Sequence, residues 1–253
     1  MSAAARRVQL APAYLLHHRP YRESGRILEV LVRAEGRLTL FARGVSGPKS
    51  RLAPVLQPFQ PLLLSFTHGR DAGQLTGAEC AAPAAPLPAA SVMSAFYLNE
   101  LLLKLTLRHD AAPELFDAYG ATLARLRAGA ALEALEAALR RFELELLSAV
   151  GYGLDLATEA GGQPIEPAGF YRFRPAQGLY RVASEEPGAL AGHSLQALAS
   201  GDLEAARTRA DARVLLAAAL AECLEGRELA TRRVAQALKR GSLPTSRYGK
   251  MPP

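Results

Sequence analysis

The hydrophobic pattern of this chain changes its period once, and the change divides the chain into two parts. In residues 1–80, short apolar runs alternate with turn residues; Leu38, Leu40 and Ala42, for example, occupy every second position. From Ser91 onward, apolar residues recur three or four positions apart. Strict alternation indicates half-buried strands, whereas the wider spacing indicates amphipathic helices. The pattern therefore predicts an α+β protein in which the strands come first and the helices follow.

Five short strands are predicted in residues 1–80, and this number suits a small β-barrel of the OB type. Pro20 is expected to end the first strand, because proline cannot donate a hydrogen bond within a sheet. Turns that contain glycine or proline separate the others. The predicted strands are Tyr14–His18, Gly25–Arg33, Arg37–Ala42, Gln60–Thr67 and Gln74–Cys80.

An Ala- and Pro-rich stretch, residues 81–90, predicts a linker to a mainly α-helical domain over residues 91–240. Residues 153–187 are expected to form an irregular insert in this domain, with a hairpin from Phe170 to Val182. The glycines and prolines of residues 241–253 predict a disordered tail. Helices are predicted from Ser91, from Pro113, up to Gly151, and in Gly192–Ser200, Ala210–Leu224 and Glu228–Arg240.

Cysteine usage and hydropathy exclude several classes of protein. The chain has only Cys80 and Cys223, with no Cys-x-x-Cys motif, so we expect no disulfide framework, no cysteine zinc site, and no metal or cofactor. No apolar run approaches the roughly 20 residues that span a bilayer. The proline and histidines that follow Arg6 and Arg7 leave no signal-peptide core. We expect a cytoplasmic protein without a membrane partner.

Charge is distributed unevenly along the chain. Residues 1–80 hold eleven Lys and Arg against five Asp and Glu, a balance of +6. Residues 81–226 carry a net charge of −6, and residues 227–253 carry +6 again. Solvated helical surfaces account for the acidic part. Two basic ends favour a polyanionic partner, and nucleic acid is the commonest one, since its phosphates bind Lys and Arg with release of counterions.

The basic residues of the predicted barrel, together with one aromatic residue, are the candidate DNA contacts. Tyr21 lies in a polar turn and is the best candidate for stacking on bases. Phe41 and Phe66 lie inside apolar runs, and we expect them in the core. Lys49 belongs to a Gly- and Pro-rich loop expected at the mouth of the barrel. The full set of candidates is Arg19, Tyr21, Arg22, Arg26, Arg37, Arg43, Lys49 and Arg51.

No motif of the chain indicates catalysis. Residues 44–50 do not fit a nucleotide-binding loop, because only two residues separate the glycines and Pro48 removes a backbone donor. His17 and His18 are neighbours on a predicted strand, so they face opposite sides and cannot bind one metal together. No Ser/His/Asp or Cys/His arrangement is recognisable locally. We therefore expect a binding protein and not an enzyme.

Several segments occur in an order and at a spacing that are typical of one known family. They are YLLHHRPYRESGRIL (14–28), GRLTLFARGV (36–45), LQPF (56–59), YLNEL (97–101), RFELELL (141–147), GYGLDL (151–156) and, more weakly, TRR (231–233). Together they resemble the RecO family of bacterial recombination mediators. The first three correspond to the OB domain of that family.

The resemblance implies binding of single- and double-stranded DNA at the nucleoid, and annealing of complementary strands. It also implies partnership with RecR and with single-strand-binding protein in loading the recombinase. Many family members carry four zinc-binding cysteines after the GY segment, but residues 153–187 contain none. We therefore expect the insert to be held by its own packing, with Phe170, Tyr171, Phe173, Leu179 and Tyr180. The alternative function is another OB-type nucleic-acid binder, such as an RNA-binding module.

A surface for the acidic, hydrophobic C-terminal tail of single-strand-binding protein is also implied by the resemblance. Such a tail needs an apolar pocket beside a cation, because its carboxylate must stay paired when it is partly desolvated. Residues 113–150 combine arginines with leucines and Phe142 in this way. The alternative is that these arginines only pair with acidic residues such as Glu136, Glu143 and Glu145. The candidate partner-binding residues are Arg125, Arg127, Arg140 and Arg141.

Overall fold

The computed structural model describes residues 6–45, 50–69 and 72–239, the last three of these as backbone only. Lys49, one of the candidate DNA contacts, lies outside the described residues. The predicted disordered tail, residues 241–253, lies outside them as well.

Five strands close into a barrel in the order β1-β2-β3-β5-β4. Neighbouring strands are antiparallel except β3 and β5, which pair in parallel at Leu40–Gly73 and Phe41–Gln74. A side chain at Gly73 would lie 2.6 Å from the Thr67 carbonyl oxygen, so closure at this point requires glycine. The strands are β1 (Arg7–Tyr21), β2 (Gly25–Val32), β3 (Gly36–Ala42), β4 (Pro61–Thr67) and β5 (Gly73–Cys80). The predicted N-terminal, OB-like barrel is confirmed.

The prediction that Pro20 ends the first strand is wrong. β1 continues through Pro20 to Tyr21, and Pro20 lies opposite Arg26 of β2. The pairing of β1 with β4 ends at Tyr14, so nearly half of β1, from Leu15 to Tyr21, has a neighbouring strand on one side only. Proline is tolerated in such an edge stretch because its missing N–H can face away from the ladder.

Six helices and a small sheet are described after the barrel, and the predicted α+β class is confirmed. The helices are α1 (Ala89–Leu105), α2 (Pro113–Arg127), α3 (Leu132–Ala149), α4 (Gly192–Ala199), α5 (Ala206–Cys223) and α6 (Ala230–Lys239). The small sheet contains β6 (Phe170–Arg174), β7 (Gly178–Val182) and β8 (Leu190–Ala191). None of the described helices is long and apolar enough to cross a membrane.

The insert contains the predicted hairpin, but it packs into the hydrophobic cluster of the helices, and Phe170 and Tyr180 of the five predicted residues are only half-buried. Tyr171 and Leu179 are buried, and Phe173 packs against the same hydrophobic cluster. The Tyr171 hydroxyl oxygen accepts the Glu166 N–H at 2.8 Å. Among residues 6–45, 50–69 and 72–239, no group of three or more His, Cys, Asp or Glu side chains could hold a metal ion. The absence of zinc stays a prediction.

A break in the register of β1 joins the barrel to the helices. The pairing of β1 with β2 shifts between Leu15 and His17, which leaves Leu16 as an extra residue. Leu15 points into the barrel core, whereas Leu16 packs into the helical cluster. The Leu16 carbonyl accepts a hydrogen bond from the side-chain amide of Asn99 on α1 at 2.8 Å. The oxygen of the same amide accepts the Tyr119 hydroxyl of α2 at 2.5 Å, so one buried side chain ties three elements together.

Two further contacts join the barrel to the helices, an ion pair at the edge of the interface and a close backbone approach at one turn. Arg33 of β2 makes two hydrogen bonds to Asp117 of α2, at 2.9 and 2.7 Å. Both side chains of this pair are about half exposed, at 47% and 55%. Gly36 has a φ of +72°, and a Cβ there would lie 2.0 Å from the Asp110 carbonyl oxygen. Only glycine fits at this contact between the β2–β3 turn and the α1–α2 connection.

We predict that Asn99→Leu destabilises the protein more than Asp117→Asn does. Leucine has a similar volume but leaves the Leu16 carbonyl and the Tyr119 hydroxyl buried without their hydrogen bonds, at about 1–3 kcal/mol for each group. Asp117→Asn weakens an exposed ion pair, which contributes less than about 1 kcal/mol. Urea unfolding of both variants measures the difference. Equal midpoints would contradict the central role of Asn99.

The last described helix is fixed to α1 by one carboxylate. Glu100 of α1 accepts hydrogen bonds from the backbone N–H groups of Ala230 and Thr231 at 2.7 and 2.9 Å, and from the Thr231 hydroxyl at 2.7 Å. These first N–H groups of α6 have no acceptor within their own helix. Burial raises the pKa of Glu100, but the hydrogen bonds from Thr231 and Ala230 outweigh it and hold this pKa below its ordinary value.

We predict that Glu100→Ala releases the first turn of α6, and that acid has the same effect on the natural chain. A carboxylate with a lowered pKa stabilises the folded state above the pKa it has when unfolded. The stabilisation is lost as the pH falls through the lower, folded value, hence below about 4.5. Amide hydrogen exchange at Ala230 and Thr231, corrected for intrinsic rates, should accelerate several-fold, as for loss of a cap of 0.5–2 kcal/mol. The exposed-site control Glu114→Gln should leave this exchange unchanged.

Candidate nucleic-acid interface

A cleft of about 430 Å³ opens at one end of the barrel, where β1 ends, β2 begins, β3 ends and β5 begins. The centroids of the Tyr21 and Phe41 rings lie 5.2 Å apart. The Arg22 guanidinium lies over the Tyr21 ring at 5.1 Å. We call this site the barrel cleft; its lining is Tyr21, Arg22, Ser24, Gly25, Phe41, Ala42, Arg43 and Gln74.

Strand register explains why these side chains meet. Arg19 lies opposite Ile27, Ile27 opposite Phe41, and Phe41 beside Gln74, so these four residues form a row across four strands. Leu38, Leu40 and Ala42 of β3 point into the barrel core. Because side chains alternate along a strand, Phe41 must face outward. The Gln74 side chain donates to the Phe41 carbonyl at 2.8 Å and so fixes this row at its β5 end.

The expectation that Phe41 belongs to the core is therefore wrong, whereas Phe66 is fully buried as predicted. The alternation of Leu38, Leu40 and Ala42 contained the signal, since it assigns the odd positions of β3 to the outside. An aromatic pair flanked by arginines can stack on a base and hold its phosphate at the same time.

The candidate arginines of this end differ in their surroundings. Arg19, Arg22 and Arg43 are exposed, and Arg22 has a φ of +54°, which non-glycine residues rarely adopt. Arg26 is half-buried opposite Pro20 and Ala42, on the face that turns away from the row. Burial, then the charges of Arg26 and His17, lower the pKa of His18 below its ordinary value, so His18 is neutral at neutral pH and adds no charge there.

Arg37 lies at the other end of β3, in the interface with the helices. Its guanidinium donates to the Thr106 carbonyl at 2.8 Å and to the Thr106 hydroxyl at 3.2 Å, and it pairs with Glu29 at 3.1 Å. Only 14% of its side chain is exposed. Arg51 is exposed in the segment between β3 and β4 and does not line the barrel cleft. The structure thus groups Arg19, Tyr21, Arg22 and Arg43, with Arg26 nearby, and separates Arg37 and Arg51 from them.

The four arginines expected to bind a partner do not form one site. Arg127 donates to the carbonyl oxygens of Ala85, at 3.0 Å, and Phe59, so it holds the linker and a barrel loop in place. Arg141 donates to the Gly201 carbonyl at 3.1 Å. Arg125 is exposed near the end of α2. Arg140 lines a pocket.

That pocket, about 130 Å³, lies between α3 and α5, and we call it the arginine pocket. Its lining is Glu136, Arg140, Ala206, Arg209, Ala210 and Arg213. The Arg209 Nε is buried and has no hydrogen-bond partner among the described residues; its nearest carboxylate oxygen, on Glu136, is 3.8 Å away. Val214, which is 45% exposed, follows Ala210 of the lining by one helical turn.

A buried carboxylate lies next to the arginine pocket. Glu143 is buried, lies 3.0 Å from the Arg140 guanidinium and accepts the Tyr97 hydroxyl at 2.8 Å. Burial raises the pKa of Glu143, and the charge of Arg140 opposes the rise. Arg140 thus pairs with an acidic residue, as the alternative expectation held, although Glu143 is buried and does not face solvent. The sequence pattern did not single out Arg209 and Arg213, because only the tertiary fold brings α5 against α3.

Comparison with known proteins finds family models and relatives that cover most of this chain. The family model described as "Recombination protein O N terminal" matches residues 8–84, and the one described as "Recombination protein O C terminal" matches residues 90–233. The DNA repair protein RecO of Methylococcus capsulatus is 41% identical over 227 residues, which cover 89% of this chain and 92% of the relative. The RecO protein of Nitrosococcus oceani is 42% identical over 237 residues, covering 92% and 95%. That of Thiobacillus denitrificans is 39% identical over 244 residues, covering 94% and 95%. The chain therefore belongs to the RecO family of DNA repair proteins.

Proposed function

We propose that this chain is a non-catalytic recombination mediator that binds single- and double-stranded DNA, anneals complementary strands and helps to load the recombinase. The observation that carries the proposal is the barrel cleft, in which an aromatic pair and exposed arginines share one end of an OB-like barrel. Membership of a DNA repair family supports it.

The mechanism is electrostatic and positional. Arg19, Arg22 and Arg43 contact phosphates, and Tyr21 stacks on a base. Neutralising the phosphates lowers the repulsion between two strands, so that complementary bases can meet. Aromatic stacking tolerates every base and therefore suits a protein that must act on any sequence. We leave Arg37 out of this interface, because its guanidinium is bound by Thr106 and Glu29.

We also propose that the arginine pocket binds the acidic C-terminal tail of single-strand-binding protein. Arg140, Arg209 and Arg213 provide a cluster of cations for a carboxylate. The pocket is small, which suits a single carboxyl group better than a long peptide. The exposed Val214 offers an apolar contact for a neighbouring side chain of the tail. In this scheme the chain acts with RecR, in the cytoplasm and at the nucleoid.

The DNA interface predicts a specific salt dependence. Replacing Arg19, Arg22, Arg26 and Arg43 by alanine should weaken single-strand binding for all sequences and flatten the slope of log affinity against log salt by about 0.7 per lost contact. Tyr21→Ala should lower the affinity by about 1–3 kcal/mol, as expected for one stacked base, and leave the slope unchanged. Fluorescence anisotropy with labelled oligonucleotides at several salt concentrations measures both effects.

A matched control removes the same charge elsewhere. The control uses exposed arginines from the part of the chain that follows the barrel, namely Arg125, Arg141, Arg174 and Arg213. Their combined replacement by alanine should leave the slope close to that of the natural chain. Equal losses in the two quadruple variants would show that net charge alone, and not the barrel cleft, holds DNA.

The tail site predicts that Arg213→Glu weakens binding of a peptide with the sequence of the single-strand-binding protein C-terminus by about tenfold or more, since a charge-assisted hydrogen bond contributes about 1.5–3 kcal/mol. Arg213 is exposed, so the variant should fold. The control is Arg125→Glu, which makes the same charge change on α2 and should leave peptide binding intact. Isothermal titration of each variant decides between the two arginines; a loss with Arg125→Glu alone would move the site to α2.

A further inference from the structure

Two clefts of the helical part of the chain adjoin at Tyr152. One, of about 630 Å³, lies between the insert and α5. The other, of about 270 Å³, lies where α1, α3 and α5 end. Tyr152 lines both clefts, so they form one groove. We call it the acidic groove after the carboxylates that line it, which are Asp110, Asp155, Glu159, Glu222 and Glu225.

The floor of the acidic groove is apolar. Leu156, Leu179 and Leu215 are buried along the first cleft. Two large apolar side chains of the groove stay open to solvent, since Leu107 is 72% exposed and Tyr152 is 46% exposed. Exposed apolar side chains beside a cleft are typical of surfaces that bind another protein, and tyrosine is enriched at such surfaces.

The carboxylates of the groove keep their negative charge. The ion pairs among the described residues do not include Asp110, Glu222 or Glu225. The hydrogen bond from the Thr158 hydroxyl, followed by those from backbone N–H groups, lowers the pKa of Asp155 below its ordinary value. Asp155 is therefore ionised at neutral pH, although it is bound within its own turn.

The ends of three helices add to this negative charge. The C-terminus of a helix carries a partial negative charge, and the last turns of α3 and α5 contain no basic residue to offset it. Arg227 lines the second cleft, but its guanidinium donates to three backbone carbonyls, those of Leu224, Lys104 and Cys223, at 3.0, 3.0 and 3.2 Å. The helices end beside the second cleft at Leu105, Ala149 and Cys223.

We infer that the acidic groove binds a protein segment in which large apolar side chains are flanked by lysine or arginine. The apolar side chains pack on the leucine floor beside Tyr152 and Leu107, and the cations face the carboxylates and the helix ends. Charge complementarity determines the class of partner, because the groove repels the phosphates of DNA and the carboxylates of an acidic peptide. This site is additional to the proposed function and does not depend on it.

The acidic groove and the arginine pocket occupy different parts of α5. Arg209 lines the pocket in the first half of the helix, whereas Glu222 lines the groove at its end. A rise of 1.5 Å per residue separates these two positions by about 20 Å along the helix. The helical part of the chain can therefore hold an acidic segment at the start of α5 and a basic segment at its end at the same time.

The first test compares three capped fluorescent peptides on the natural full-length chain. In one peptide, two leucines stand between two pairs of lysines. In the second, serines replace the leucines, and in the third, glutamates replace the lysines. Fluorescence anisotropy should show that the first peptide binds at least about tenfold more tightly than either of the others. This comparison does not depend on whether any variant of the chain folds.

The second test locates the peptide. Glu222→Lys combined with Glu225→Lys should weaken binding of the lysine–leucine peptide by about tenfold or more, since two cations lose their partners. The matched control, Glu133→Lys combined with Glu204→Lys, makes the same charge change at exposed positions outside the groove and should leave the affinity within about twofold.

The apolar floor has a test of its own. Leu107→Ser combined with Tyr152→Ser should also weaken binding of the lysine–leucine peptide, whereas Tyr152→Phe keeps the ring and should retain it. The serine variant leaves the net charge unchanged, so its affinity for a single-stranded oligonucleotide should equal that of the natural chain.

Each contrary result overturns the inference. Equal losses in the two lysine variants would show that net charge alone attracts the peptide. Equal affinity for the leucine and serine peptides would show that the apolar floor is not used. Tighter binding of the glutamate peptide would assign an acidic partner to the groove. The barrel quadruple variant should bind the lysine–leucine peptide like the natural chain. If that variant keeps its DNA binding, the barrel cleft is refuted and the acidic groove is not; if it loses the peptide, the inference fails.

Discussion

The hydrogen bond from Asn99 to the Leu16 carbonyl determines how the barrel sits on the helices. The register shift in β1 leaves this carbonyl out of the regular ladder, and a buried carbonyl without a partner is costly. The side-chain N–H of Asn99 donates to this carbonyl, and its amide oxygen accepts a hydrogen bond from the Tyr119 hydroxyl. Because of the same shift, Leu15 packs into the barrel core and Leu16 packs into the helical cluster, so β1 contributes to both hydrophobic clusters. The position of the barrel cleft relative to every helical site depends on this junction.

The junction also sorts the arginines of the barrel into two groups. Arg33 and Arg37 lie near the helices, where Asp117 and Glu29 neutralise them. Arg19, Arg22 and Arg43 lie at the other end, exposed. Among the described residues, three exposed arginines thus lie at the end of the barrel that contains the aromatic pair, whereas Arg33 and Arg37 are neutralised near the helices. Arginines spread evenly over a surface would bind a polyanion in many positions. Arginines clustered beside stacking rings give nucleic acid a defined position.

Local periodicity was sufficient to predict the barrel, the hairpin and most helices, because each depends on neighbouring residues. The barrel cleft was partly predictable: Tyr21 and its arginines follow from a polar turn in a basic segment, and the outward position of Phe41 follows from the alternation of β3. The role of Arg37 was not predictable, because its partner Thr106 is 69 residues away in sequence. The strand through Pro20 could not be foreseen either, since it depends on where the pairing of β1 with β4 stops.

The arginine pocket could not be predicted from the sequence for the same reason, because its contacts join residues that are far apart in the chain. Arg140 lies in an Arg- and Glu-rich stretch whose sequence does not set it apart from other helical arginines, yet only 14% of its side chain is exposed. The buried Glu143 orients it, and Tyr97 orients Glu143 in turn. A cation held in this way loses little conformational freedom when it binds a carboxylate, whereas a free surface arginine loses more. In the tail site that we propose, the buried carboxylate prepares the pocket without contacting the ligand, and this is a property of three helices that no single segment of the sequence contains.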